Sequence, residues 1–287
     1  MPRVIVLGSG GPQPNPVRWG TSFLVEIGGE WMMFDCGFAT TYNLYKAGFK
    51  ATQVDHLFFT HHHSDHDADY PSFLLVRWDM SIGKENDLRV YGPTLTTQLT
   101  ERLLGEGVGA FWHDIVARTQ HPLSQWAHEE RGGTLPRKPP KILAKDVGPG
   151  TVATGDRWEI TATRVEHVQP YLDSLAYRID SDEGSIVFSG DTRPCNALTE
   201  LATGADLLVM GCVGIQSEMD GTAAAESATG TLGTGRTATQ AGAKKLLLFH
   251  QSTLDVPGRR EQALIEVSSV YSGPIIWGNE LMEVPWG

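Results

Sequence analysis

The stretch Thr60-His61-His62-His63-Ser64-Asp65-His66 contains the pattern His-x-His-x-Asp-His, and five of the chain's ten histidines fall between positions 56 and 66. Side chains alternate in direction along an extended segment, so His61 and His63 project from one side and can chelate a single ion. Asp65 and His66 follow once the chain turns, which lets them face a second ion beside the first. Imidazole and carboxylate are borderline-to-hard ligands suited to zinc, with manganese or iron as alternatives. His62 points the other way and is expected to be a supporting or surface residue.

Two ions need more ligands than this loop supplies. Three further residues stand where strands are expected to end: His167 closing Thr161–Glu166, Asp191 in Ser189-Gly190-Asp191-Thr192, and His250 closing Lys245–Phe249. Gly190 permits a tight turn before Asp191. Together the three complete a site for two metals, with Asp191 able to bridge.

The elements that must deliver these residues read as short runs. A strand over Arg3–Gly8 precedes a glycine/proline loop at Ser9–Pro12. Gly28-Gly29 joins strands Ser22–Ile27 and Glu30–Phe34 as a two-residue hairpin. A helix over Thr41–Ala47 is closed by Gly48, and the apolar run Val54–Phe59 forms a buried strand that leads straight to His61. A helix over Tyr70–Trp78, a strand over Leu88–Tyr91 and a helix over Thr94–Leu104 follow. Residues 105–150 read as irregular. Strand character returns at Trp158–His167, Ser174–Ile179, Ser185–Ser189, Leu207–Met210 and Lys245–Phe249. A helix over Glu261–Val267 and β-type tail segments Ile275–Trp277 and Leu281–Val284 finish the chain. Two batches of strands, each interleaved with helices, predict a layered α/β architecture.

Composition narrows the function. With 34 acidic and 23 basic side chains the formal net charge is −11, which argues against phosphate backbones as partners, because those require a basic footprint. No apolar run approaches the roughly 20 residues of a membrane span, and the apolar part of the N-terminus, Val4 to Leu7, is too short for a secretory signal. Cys36, Cys195 and Cys212 are odd in number and far apart, unlike a disulfide framework. The expected compartment is reducing cytoplasm, with no membrane partner.

Across essentially the whole chain these residues resemble the metallo-β-lactamase superfamily: Asp35, His61-x-His63-x-Asp65-His66, His167, Asp191 and His250 occur in its motif order. The resemblance implies one domain over residues 1–287, a four-layer αββα sandwich of two mixed sheets with helices outside, and a site for two Zn2+ per chain at one rim. It assigns His61, His63 and His167 to one zinc and Asp65, His66 and His250 to the other, with Asp191 bridging. Asp35 would orient ligands without being one.

Within the superfamily the sequence is most similar to the ribonuclease Z and arylsulfatase-like branch. The similarity lies in Leu7-Gly8-Ser9-Gly10-Gly11-Pro12, His66-Asp67-Ala68-Asp69-Tyr70 and Ser189-Gly190-Asp191-Thr192. It departs from the tRNA-processing members in two places. Met210-Gly211-Cys212 stands where they carry a His-Glu pair, and Gly230-Thr231-Leu232 where they carry His-Ser/Thr-Thr.

The departures and the negative charge point to a small-molecule substrate, with nucleic acid not expected. The reaction expected is hydrolysis of a phosphodiester, sulfate ester, carboxylic ester or lactone by a metal-bridging hydroxide, which Asp65 orients while moving a proton. Tyr70 and Trp112 are expected to wall an apolar substrate pocket. The insert at about 105–150 would line that pocket or a homodimer interface. A ribonuclease Z-like tRNA 3′-processing endonuclease and a non-catalytic ligand-binding member are the alternatives.

Overall fold

Burial alternates along Trp158-Glu159-Ile160-Thr161-Ala162, the period of a strand with one wet face, whereas Leu207–Gly211 and Leu246–Phe249 are buried throughout, as strands covered on both faces must be. The computed structural model describes residues 2–82 and 87–286. Met1, residues 83–86 and Gly287, and with them both ends of the expected 1–287 domain, lie outside the described residues.

Among the described residues the first sheet comprises β1 (Arg3–Gly8), β2 (Ser22–Ile27), β3 (Glu30–Phe34), β4 (Val54–Phe58), β5 (Leu88–Gly92), β6 (Ile142–Asp146) and, at its far edge beside β1, β14 (Glu283–Pro285). The second comprises β7 (Gly150–Thr154), β8 (Trp158–Arg164), β9 (Leu175–Ser181), β10 (Gly184–Phe188), β11 (Leu207–Gly211), β12 (Leu246–Phe249) and β13 (Ile275–Trp277), in spatial order. Both sheets are mixed. β14, β1, β2 and β3 pair antiparallel and β3 to β6 parallel; β7 to β10 pair antiparallel and β10 to β13 parallel. Gly28 and Gly29, at φ 60° and 85°, make the β2–β3 turn, which needs two residues in the left-handed region.

Helices flank the sheets, with α2 at the rim: α1 (Thr40–Lys46), α2 (Ser64–Asp67), α3 (Tyr70–Asp79), α4 (Thr96–Leu104), α5 (Trp112–Gln120), α6 (Pro122–Glu130), α7 (Asn196–Leu201), α8 (Gln216–Met219), α9 (Thr231–Ala241) and α10 (Arg259–Val270). One apolar core fills the space between the sheets, and a further core lies under the helices on each side. This is the αββα sandwich. Phe34 stacks on Phe188 across the sheets at 4.1 Å and on Phe58 within its own sheet at 5.0 Å. The buried Tyr177 hydroxyl donates to the Phe59 carbonyl at 2.9 Å, so β9 is tied to the end of β4, where the histidine loop begins.

Two expectations are corrected here. About half of residues 105–150 lies in regular elements, α5, α6 and β6. Their helices bury little, Ile115 in α5 and His128 in α6, with Trp112 and Val116 half-buried beside Ile115. They rest instead on local devices: Pro122 in the first turn, the His121 side chain accepting from the Leu123 N–H, and an Arg118–Asp114 pair at i,i+4. The second concerns β8, which ends at Arg164, three residues short of His167. His167 lies in the loop beyond it, where the Gln169 side chain accepts from the His167 N–H at 2.7 Å and donates to the Val165 carbonyl at 2.8 Å.

Candidate metal centre

Parallel pairing of β3 with β4 brings their carboxyl ends together, so Asp35 and Thr60 become neighbours. Asp35 is buried at φ 60°. Its Oδ1 accepts from the Thr60 N–H at 2.7 Å, and its Oδ2 accepts from the Thr60 hydroxyl at 2.8 Å and from His66 Nδ1 at 2.7 Å. With Nδ1 so engaged, His66 presents Nε2 inward. The short helix α2 makes the turn that the pattern requires: the His66 N–H donates to the His63 carbonyl at 2.9 Å, and Asp65 and His66 face into the rim.

Two groups of donors result. His61, His63 and His167 form one; Asp65, His66, Asp191 and His250 form the other, and within each group one ligand atom per residue lies within 4.8 Å of the others. His63 Nδ1 is 3.1 Å from His61 Nε2 and 3.2 Å from His167 Nε2. Tetrahedral zinc with Zn–N of about 2.0–2.1 Å holds its nitrogens roughly 3.3 Å apart. His250 Nε2 is 3.1 Å from both Asp65 Oδ2 and Asp191 Oδ2, and His66 Nε2 is 3.6 Å from each of the two carboxylates. Asp191 also approaches His167 at 4.0 Å, which puts it between the groups.

The residues fit a metal on two counts. His66 Nε2 and Asp191 Oδ1 are buried without a hydrogen-bond partner, an arrangement that is costly unless a cation satisfies both atoms. The charge states agree. Burial, reinforced by His66, holds the His61 imidazolium well below the usual histidine range, and burial with His167 lowers His63; neutral imidazole is the coordinating form. In the other group burial opposes every charge. Asp35, Asp191 and Asp65 nevertheless carry His66 up to about 9, and Asp191 and Asp65 raise His250 well above its ordinary value. Those imidazoles in turn pull Asp191 well below the carboxylate range and lower Asp65. The surroundings of this group thus favour positive charge between the two carboxylates, which a bound cation would supply.

The structure thus brings together His61, His63, Asp65, His66, His167, Asp191 and His250. Asp191 follows Gly190 at φ 58°, and His250 itself adopts φ 62° directly after β12. His62 turns away, contacting Asp67 at 3.2 Å and the Thr96 hydroxyl at 2.8 Å. Tyr70 and Trp112, expected to wall a substrate pocket, both pack on the core of the first sheet. Tyr70 is fully buried in the core beneath α3, edge-on to Phe59, with its hydroxyl on Thr100 at 2.8 Å. Trp112 packs against that same core. The apolar side chains placed just after the metal loop serve packing because α3 turns them onto the outer face of the first sheet.

Sequence reading missed several supporting groups. The Ser227 carbonyl receives His167 Nδ1 at 2.6 Å, and a backbone carbonyl leaves no trace in residue type. Thr60, beside His61, carries no sign in its type of the two hydrogen bonds it donates to Asp35. Gly11 lies so close to His250 that an added Cβ would meet the imidazole Cε1 at 2.4 Å, which gives the glycine loop after β1 a specific reason.

Comparison with known proteins agrees with this architecture. The family model described as the metallo-beta-lactamase superfamily matches residues 17–204, and the chain belongs to that superfamily, whose hydrolases depend on metal. A ribonuclease Z of Mycobacterium bovis (strain BCG / Pasteur 1173P2) is 30% identical over 296 residues, covering 99% of this chain and 98% of the relative. Among solved structures, the metallo-beta-lactamase fold protein YhfI from Bacillus subtilis matches with a TM-score of 0.77 at 21% identity, covering 100% of this chain and 99% of its own. Human tRNase Z, short form, matches with a TM-score of 0.68 at 19% identity over 99% of each chain. The structural likenesses establish the fold. The ribonuclease Z names stand against the sequence-based exclusion of nucleic acid as a partner.

Proposed function

We propose that this chain is a binuclear zinc hydrolase acting on an ester-type bond of a small, weakly charged molecule. The observation that carries the reading is the donor set itself, two adjoining groups built from five imidazoles and two carboxylates, with buried ligand atoms left unpaired. Two zinc ions held there, His61, His63 and His167 on one and Asp65, His66 and His250 on the other with Asp191 between, would supply Lewis acidity and a water activated near neutral pH. Asp65, whose Oδ2 already engages His250, is placed to accept a proton from that water and to orient it. Asp35, through Thr60 and His66, holds the histidine loop in one geometry.

The charge of the surrounding loops supports a substrate of low charge. The loops at 9–21, 165–174, 189–195, 212–230 and 250–258 hold two basic residues, Arg18 and Arg193, against six carboxylates besides Asp191, namely Glu166, Asp173, Glu218, Asp220, Glu226 and Asp255. Both arginines are paired: Arg193 with Glu166 at 2.6 Å and Glu226 at 3.0 Å, Arg18 with Asp255 at 3.0 Å. Nearby, Arg164 is paired with Asp173 at 2.9 Å and Arg259 with Glu218 at 2.7 Å. A grip on a phosphate backbone needs free cations, and these are committed elsewhere. Carboxylic esters and lactones are therefore favoured over phosphodiesters and sulfate esters. The second reading, tRNA 3′ processing, is favoured by the ribonuclease Z relatives alone.

Turnover by the zinc-loaded protein on nitrophenyl carboxylic, phosphodiester and sulfate esters, on lactones and on a tRNA precursor separates these. Hydrolysis of a carboxylic ester or lactone, with Asp65→Ala at least 100-fold slower and still metal-bound, is the expected result. Cleavage of the precursor alone would replace the reading with the second one, and full activity of Asp65→Ala would remove Asp65 from its role.

A further inference from the structure

Arg18 sits in a loop of glycines, prolines and polar residues and is 2% exposed. Its Nη1 donates to the Ser9 hydroxyl at 2.5 Å and the Gly278 carbonyl at 2.6 Å. Its Nε and Nη2 grip both oxygens of Asp255 at 3.0 and 3.3 Å, Nη2 also donates to Asn279 Oδ1 at 3.1 Å, and Glu280 lies at 3.6 Å. One guanidinium thereby fastens three chain segments: the loop between β1 and β2, the loop between β12 and α10, and the loop between β13 and β14. A planar, always-charged fork suits such a junction, where an ammonium could satisfy only part of it.

The junction leads to one residue of the cluster. Ser9 is fully buried, and its carbonyl accepts from the His250 N–H at 2.7 Å while its hydroxyl is held by Arg18. Gly11, two residues on, donates its N–H to the Ser252 hydroxyl at 3.0 Å and lies against the His250 ring. Gln251 donates to the same Gly278 carbonyl that Arg18 engages, at 2.8 Å. His250 thus carries a left-handed backbone with φ 62° inside a frame assembled by Arg18. Such a conformation persists only when its surroundings over-determine it. Among the described hydrogen bonds, none joins Arg18, Ser9 or Asp255 to His61, His63 or His167.

We propose that Arg18 is a positioning residue that sets the occupancy of one of the two metal positions, the one that includes His250, acting through Ser9 and leaving the three-histidine position unaffected. The inference rests on the binuclear reading. It is tested by chelator competition, reading two zinc affinities in the wild type, Arg18→Lys and Ser9→Ala, together with the melting temperature of each metal-free protein. Ser9→Ala keeps the carbonyl that receives His250 and so carries the test if Arg18→Lys fails to fold. The wild type is expected to bind two ions. Each variant should retain one affinity and lose about 10–100-fold in the other, the effect typical of removing a group that supports a ligand. Two unchanged affinities in Ser9→Ala would overturn the proposal. So would an equal fall in both affinities accompanied by a lower melting temperature, which marks general loosening. A wild type that binds fewer than two ions would instead refute the binuclear reading beneath it.

Discussion

Asp35 shows how much of the site is decided by a residue that would not touch the metal. Its carboxylate, 2% exposed, accepts from one backbone N–H, one hydroxyl and one imidazole. Burial raises its pKa and His66 opposes that rise, while Asp35 in turn helps to raise His66 against the effect of burial. Removing the carboxylate takes the acceptor from the Thr60 N–H and from His66 Nδ1 in the interior, and each such group costs about 1–3 kcal/mol. The expected result for Asp35→Ala is a loss of about 10–100-fold in zinc affinity, with Asp35→Asn intermediate because an amide oxygen still accepts from Thr60. Isothermal titration with zinc checks this, and unchanged affinity in Asp35→Ala would remove the residue from any orienting role.

At the scale of elements, the segment that reads least clearly from sequence is held by charge. Asp79, at the end of α3, receives Arg118 at 3.2 Å, Arg131 at 3.1 Å and Arg137 at 3.0 Å, and Arg137 lies over the Trp78 ring at 4.1 Å. α5, α6 and the chain leading to β6 are fastened to α3 in this way. Two of those arginines are more than 40% exposed, so solvent screens much of the attraction, and Asp79→Asn is expected to cost only about 1 kcal/mol at pH 7. Burial would raise the Asp79 pKa, but Arg137 and Arg131 pull it below its ordinary value of 3.8. Folding therefore favours the ionised form. The stabilisation is complete above the unfolded pKa and is lost as pH falls through the native one. Urea unfolding should show the gap between wild type and Asp79→Asn narrowing from pH 6 to pH 3; a constant gap would contradict the assignment.

The same contrast explains what was legible in advance. β11 and β12 announced themselves by uninterrupted apolar runs, and the β2–β3 hairpin by Gly28-Gly29, because burial and positive φ each demand particular residue types. α5 and α6 did not, since the apolar side of α5 is short, Trp112, Ile115 and Val116, and α6 buries only His128. The histidine loop was readable from type and spacing, and His167, Asp191 and His250 from expected strand ends together with the family resemblance. The frame that holds them was not: Ser227 contributes a carbonyl, and Arg18 acts through partners as distant in sequence as Asp255 and Gly278.

For the molecule as a whole, the net charge of −11 and the acidic loops around the cluster act together. They leave the metal position, when ions are bound, as a concentration of positive charge within an acidic rim. Two sheets that pair parallel where they carry Thr60, Asp191 and His250 converge on that rim, so the fold supplies the ligands from both halves at once. Anomalous scattering from crystals of the zinc-saturated protein at the zinc edge tests the central claim most directly. Two peaks are predicted per chain, one among His61, His63 and His167 and one among Asp65, His66, Asp191 and His250, while a single peak, or none at these residues, would contradict the account.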